Sequence, residues 1–191
     1  ISDPAISVVL SAGLGELPED GPGTLANIDA VGITRPEAIS GLTADDVSLA
    51  GDTSMDFLLT DTPLCIIEEG YLEQNNWQLG QKVTLSIYYD YMDRNSTFML
   101  QRLGVEDFTI VGSVKGMAGE YVPSIIVPFQ WVRAAFTCHN ISFVANAASF
   151  RVKDPLRLNE FKTEMKKELR MMEINPMTDF ACYGNALSVN D

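Results

Sequence analysis

The chain has 191 residues, 46% of them apolar and 20% charged. That is enough for one or two small domains with a buried core, and too apolar for a disordered chain. A net charge of -13 excludes nucleic acid and anionic membrane surfaces as natural partners, because affinity for both rests largely on Lys and Arg. The charge is uneven: residues 1–70 hold thirteen acids against one base, Arg35, and residues 71–191 hold thirteen acids against twelve bases. Such an acidic first third fits either a solvated surface or a face for a cation or a basic ligand.

The chain begins Ile1-Ser2-Asp3, without an initiator Met or a signal-peptide pattern. The expectation from this is a segment excised or processed from a longer protein. No apolar run reaches the roughly 20 residues needed to cross a bilayer. Three widely spaced cysteines, Cys65, Cys138 and Cys182, do not make a disulfide framework. Cys65 and Cys182 have apolar neighbours and read as buried thiols.

In chain order, Ile6, Val8 and Leu10 alternate with smaller residues and predict a strand over 4–11. Residues 13–23 hold four glycines and two prolines and read as a loop. Pro36 suits the first position of a short helix ending near Ile39. Thr43 suits the N-cap of another turn, with Asp46 three residues on. Leu64-Cys65-Ile66-Ile67 is a compact strand and residues 68–77 an amphipathic helix. Leu79-Gly80-Gln81-Lys82 is a turn, and Val83, Leu85 and Ile87 alternate with Thr84 and Ser86 in a half-buried strand. A hairpin follows over 88–102, with turn residues at Asp93-Arg94-Asn95-Ser96. Strands over 108–114 and from Ser124 to Pro128, a helical turn over 132–136 and a strand over 142–152 come next. Asp154 as N-cap and Pro155 open the best helix, with Leu158, Phe161, Met165 and Leu169 on one face. Asn175-Pro176 stops it, and 180–189 closes as a strand. Strands with few helices between them and no repeat predict an α+β fold.

The chemistry search assigns no catalytic, cofactor-binding or metal-binding residue, and no cofactor. There is no GxxxxGK[ST] loop, and Gly112, Gly116 and Gly119 lack dinucleotide spacing. His139 is the single histidine, too few for a zinc site and unaccompanied by a GxSxG serine. The acid pairs Glu19-Asp20, Asp45-Asp46, Glu68-Glu69 and Glu106-Asp107 put neighbouring side chains on opposite faces of an extended chain, which does not build a two-carboxylate site. Asp90, Asp93 and Asn95 miss the register of a calcium loop. Trp77 and Trp131 read as core.

Three blocks do resemble a family. Residues 63–85, a strand, a short helix and Leu79-Gly80-Gln81-Lys82-Val83-Thr84-Leu85, resemble the strand, helix and Leu-Gly-Asp-x-Val-x-Leu block of extracytoplasmic domains in MacB/FtsX-type ABC transporter permeases, with Gln81 in place of the usual Asp. Phe108-Thr109-Ile110-Val111-Gly112-Ser113-Val114 and Ser124-Ile125-Ile126-Val127-Pro128 are similar to that family's Val-Val-Gly-Val and Ile-x-Val-Pro strands. Phe150-Arg151-Val152-Lys153-Asp154-Pro155 is similar to its strand, Asp-Pro, helix unit. The resemblance implies a mixed αβ porter-like part joined to a β-rich sabre-like part. Residues 1–62 would then be an acidic strand and loop-rich elaboration, 63–152 the sabre-like region and 153–191 a porter-like helix-strand unit.

It also implies a domain on the extracytoplasmic face of a bacterial membrane, tethered there in the full-length protein and without catalysis of its own. Its partners would be the rest of the permease and its ATPase subunit, with a second permease protomer or an extracytoplasmic protein as further candidates. The alternative from composition is a secreted or surface-anchored binding module for a cation or a basic ligand.

Overall fold

The computed structural model describes residues 4–19, 27–92, 98–116, 121–141, 143, 145–149, 157, 159–161, 163, 164 and 167. The chain divides into two compact units, Ala5–Ser149 and a second formed by Ile1–Pro4 with Phe150–Asp191.

In the first unit, β1 (Ala5–Leu14) and β2 (Ile28–Ile33) are followed by two single 3-10 turns, Pro36–Ala38 and Ala44–Asp46. Then come β3 (Val47–Leu49), a longer 3-10 turn (Met55–Leu59), β4 (Leu64–Glu68) and α1 (Glu69–Gln74). Two long strands, β5 (Lys82–Met92) and β6 (Phe98–Val114), precede β7 (Ile125–Pro128), α2 (Phe129–Cys138) and β8 (Ala147–Ser149). Hydrogen bonding runs β2-β7-β4-β6-β5-β1, and β1 also pairs with β2, so these six strands close a barrel. The β2–β7 and β4–β6 pairs are parallel and the other four antiparallel. β3 adds to β6, and β8 adds to β1 at Ala5–Ser7.

Alternation along the strands divides the apolar side chains into two cores. The first collects Val8, Leu10 and Ala12 of β1, Cys65 and Ile67 of β4, Val83, Leu85 and Ile87 of β5, Phe108 and Ile110 of β6 and Ile125 and Val127 of β7. α2 contributes Phe129, Trp131, Val132 and Phe136 to this same core. The second lies on the opposite side of the strands, where Val31, Ile33, Ile66, Val111, Val114 and Ile126 meet Ile39 and Leu42, between the first two 3-10 turns, and Phe57 and Leu58 of the third. β4 and β7 are therefore covered on both faces, which is why they read as unbroken apolar runs.

The expected α+β fold, a mixed αβ porter-like part with a β-rich sabre-like part, is overturned. The described chain is mostly β, built on the closed six-stranded barrel. The helical pattern over 68–77 produces only the six residues of α1, and most of the short turns are 3-10. Closure depends on β1 pairing with β2 on one side and with β5 on the other. The β1–β5 rung Ser11↔Tyr88 joins residues far apart in the chain, and periodicity carries no record of such a pairing. Both β1 and β2, from the loop-rich first third, are barrel strands.

Local expectations fare better. β1 extends the first strand through Leu14, into the stretch read as loop. Pro36 opens its 3-10 turn at the first position, and Thr43 is the N-cap of the next. Gly80 takes φ +85° in the turn before β5, a conformation that costs glycine no steric clash. The hairpin tip, residues 93–97, and the closing strand over 180–189 lie outside the described residues. In the second unit, residues 159–161, 163, 164 and 167 are helical, as the pattern over 154–170 predicts. There Arg157 Nε donates to Glu160 at 2.8 Å, with both side chains largely exposed.

Candidate functional site

Among the described residues, those singled out from the sequence do not converge. Cys65 is fully buried in the first core, and burial pushes its thiol up to about 12. Cys138 is exposed at the last position of α2, and Cys182 lies outside the described residues. His139 is the exposed C-cap of α2, where its Nε2 lies 2.9 Å from the Leu103 carbonyl oxygen. A carbonyl only accepts, so Nε2 carries the proton in this bond. Trp131 is core, edge-on to Phe108 with centroids 5.0 Å apart. Trp77 packs edge-on to Tyr71 at 5.7 Å.

Several of the acids are held by hydrogen bonds to nearby turns or to neighbouring strands. Asp46 accepts from the Thr43 hydroxyl at 2.6 Å and the Thr43 amide at 2.8 Å, and these bonds hold its carboxyl below the usual value. Glu68 caps α1 by accepting from the Tyr71 amide at 2.8 Å. Ser113 Oγ donates to Glu69 at 3.3 Å, and Thr84 Oγ1 to Asp107 at 2.6 Å. Among the described residues, no three His, Cys, Asp or Glu side chains are grouped to hold a metal.

Two surface features stand out among the described residues. The first is the arm formed where β5 and β6 run on past the barrel. β1 leaves β5 after the rung Ser11↔Tyr88, while β5 and β6 stay paired out to Met92↔Phe98. Over residues 98–108, β6 pairs with β5 alone among the described strands. A row of rings leads onto this arm: Phe143 and Phe136 at 5.3 Å, Phe136 and Tyr89 at 4.8 Å, then Tyr89 stacked with Tyr91 at 6.3 Å. The row ends at Tyr91 and its cross-strand partner Met99, 38% and 41% exposed. Tyr91 and Met99 thus leave large, mostly apolar side chains partly in water at the end of the row.

The second is an open groove of about 510 Å³ between the end of the Met55–Leu59 turn and α2. It is lined by Leu59, Thr60, Asp61, Gln130, Arg133 and Thr137, with Leu59 53% exposed.

Sequence reading missed the polar side chains at the root of the arm. Ser86 was expected on the solvated face of β5, yet Ser86 and Tyr88 are both fully buried there. Residues 15–19 lie across them, and Arg102 of β6 reaches the same segment. Ser11 Oγ, on the neighbouring β1, donates to Asp90 at 3.0 Å, while Asp90 Oδ1 is enclosed without a partner. Burial raises the Asp90 carboxyl above its usual value, and the Ser11 bond acts in the opposite sense.

No protein-family profile matches the chain, and no curated protein matches it. Among solved structures it is similar to one described as "a domain of a putative Permease protein" from Porphyromonas gingivalis, with a TM-score of 0.47 and 15% identity. The likeness covers 88% of this chain and 64% of that one, so the chain spans less than two thirds of its length.

Proposed function

We propose that this chain is an extracytoplasmic domain of an ABC-type permease, one that relays conformational change or contacts substrate and partner proteins and performs no catalysis itself. The observation that supports the reading is where the residues of the ordered permease-like blocks fall. Gly80 holds the positive-φ turn that starts β5. Gly112 of β6 is the antiparallel partner of Leu49 in β3, and a Cβ on it would stand 2.8 Å from the Ser48 carbonyl oxygen. Pro128 ends β7 and is the N-cap of α2. These three residues meet backbone or packing demands just before β5, on β6 and at the end of β7, while the block over 150–155 lies outside the described residues.

A relay transmits displacement through packed elements and interfaces, and needs no reactive side chain. A buried double core with a projecting arm suits that task. In this reading the ATPase subunit and the remainder of the permease are the partners, and the domain lies on the outer face of a bacterial membrane.

The test uses the full natural protein. Membrane segments of about 20 apolar residues are expected on both sides of this domain. A membrane-impermeant thiol reagent is expected to label Cys138 in intact cells, and Tyr91→Ala or Met99→Ala to lower transport-coupled ATP hydrolysis. A natural protein without flanking spans, or labelling of Cys138 only after lysis, would overturn the proposal.

A further inference from the structure

Residues 15–19 are held down by side chains of the two arm strands. Gly15 donates its amide to the Thr84 carbonyl at 2.9 Å, and Ser86 Oγ donates to the Gly15 carbonyl at 2.7 Å. The Leu17 amide donates to the same Ser86 oxygen at 2.9 Å, so this one hydroxyl both gives and receives. Tyr88 OH donates to the Pro18 carbonyl at 2.8 Å. Arg102 closes the far end with two bonds of 2.7 Å, Nη1 to the Leu17 carbonyl and Nη2 to Glu19 Oε1.

The position of this strap is as informative as its bonds. On β5, Val83, Leu85 and Ile87 point into the first core, so Thr84, Ser86 and Tyr88 point the other way. Thr84 is exposed, whereas Ser86 and Tyr88 have no exposed surface. Tyr88 and Arg102 are cross-strand partners, and the register shift of the β5–β6 ladder falls between Ile87 and Tyr88. Tyr88 is also the last β5 residue paired to β1. The strap is thus fastened where the hairpin loses its third strand and carries a bulge, the point at which a two-stranded ribbon bends most readily.

We propose that residues 15–19 form a lock on the root of the β5–β6 arm, with Arg102 as its latch. Closed, the strap fixes the arm at the bulge. Open, it frees the arm to pivot there and uncovers Ser86 and Tyr88. The inference concerns this chain's own mechanics and stands whether or not the protein belongs to a permease.

Amide hydrogen exchange on the whole chain tests it. Arg102→Gln removes the charged latch and Ser86→Ala the central hydroxyl. Each is expected to speed exchange at Gly15 and Leu17 by about tenfold, the scale of one lost charge-assisted or buried hydrogen bond. The arm amides of residues 89–91 and 99–101 are expected to accelerate with them, while Ile66 and Val127 in the barrel keep their rates. Arg102→Lys, which retains a charged donor, is expected to recover part of the protection. Faster strap exchange with an unchanged arm would reduce the strap to a pinned loop and overturn the proposal, as would no change at either place. If Arg102→Gln or Ser86→Ala also loosens the barrel, the decision passes to Glu19→Gln, which alters only an exposed partner. A smaller acceleration shared by strap and arm then supports the lock, and its absence overturns it.

Discussion

Asp90 shows what one half-buried carboxylate does to stability. Burial is the larger influence and raises its titration above 3.8, so the folded protein holds this proton more tightly than the unfolded chain does. Stability therefore falls as pH rises from 3.8 through the folded value, once the unfolded chain has released the proton. Asp90→Asn is expected to flatten that slope, seen as a smaller difference in urea midpoint between about pH 4 and about pH 7. Asp46 has the opposite sign. Its carboxyl is held low first by the Thr43 hydroxyl and then by the Thr43 amide, so its contribution is present above 3.8 and is lost as pH falls below it. The two thiols among the described residues differ in exposure, Cys65 buried and Cys138 in water. With Cys182 replaced by Ser, a thiol reagent near pH 8 is expected to modify exposed Cys138 at once and Cys65 only after denaturation. Rapid modification of both in the native protein would contradict the burial of Cys65.

At the scale of elements, the demands come from close approach and ring packing. The missing Cβ at Gly112 leaves space for the Ser48 carbonyl and for Leu49, whose nearest atom would lie at 2.7 Å. Backbone cannot rotate out of the way, so Gly112→Ala is expected to cost about 1–3 kcal/mol in urea unfolding. Phe136 is the buried hub of the rings that join α2 to the arm, touching Tyr89 and Phe143. Phe136→Ala is expected to cost about 3–5 kcal/mol and to raise the exposure of Tyr89, read by tyrosine fluorescence or near-ultraviolet circular dichroism.

These elements were legible in unequal degree. The apolar runs of β4 and β7, the Gly80 turn, the Pro36 start and the Thr43 cap all follow from residue chemistry acting within a few positions. α2 spans Phe129–Cys138 where only a turn over 132–136 was expected: Phe129, Val132 and Phe136 keep helical spacing, but the barrel core that also buries Trp131 is assembled from other strands. The third 3-10 turn, Met55–Leu59, was missed for a similar reason: Phe57 and Leu58 matter only once the second core exists to receive them.

For the whole molecule, order of assembly is the telling quantity. β6 pairs with β3, β4 and β5, and β1 with β2, β5 and β8, so much of the barrel forms between distant residues. Chains dominated by such pairings fold in milliseconds to seconds, and stopped-flow refolding followed by tryptophan fluorescence is expected to fall on that scale. A microsecond phase carrying the full amplitude would contradict the topology. Trp131 is the suitable reporter, since it is buried only when α2 meets the barrel core.

The sequence by itself determined that β4, β5 and β7 are extended, where Gly80, Pro36 and Thr43 place their turns, that the chain is strongly acidic and that Cys65 is hidden, because each depends on side-chain chemistry over a short span. Only the tertiary structure decided that six strands close into a barrel, that the first third supplies two of them, and that an outward serine and tyrosine are covered by a strap. Closure and covering are made by partners from distant parts of the chain. Their cause is the burial of a shared surface, and no single stretch of residues contains it.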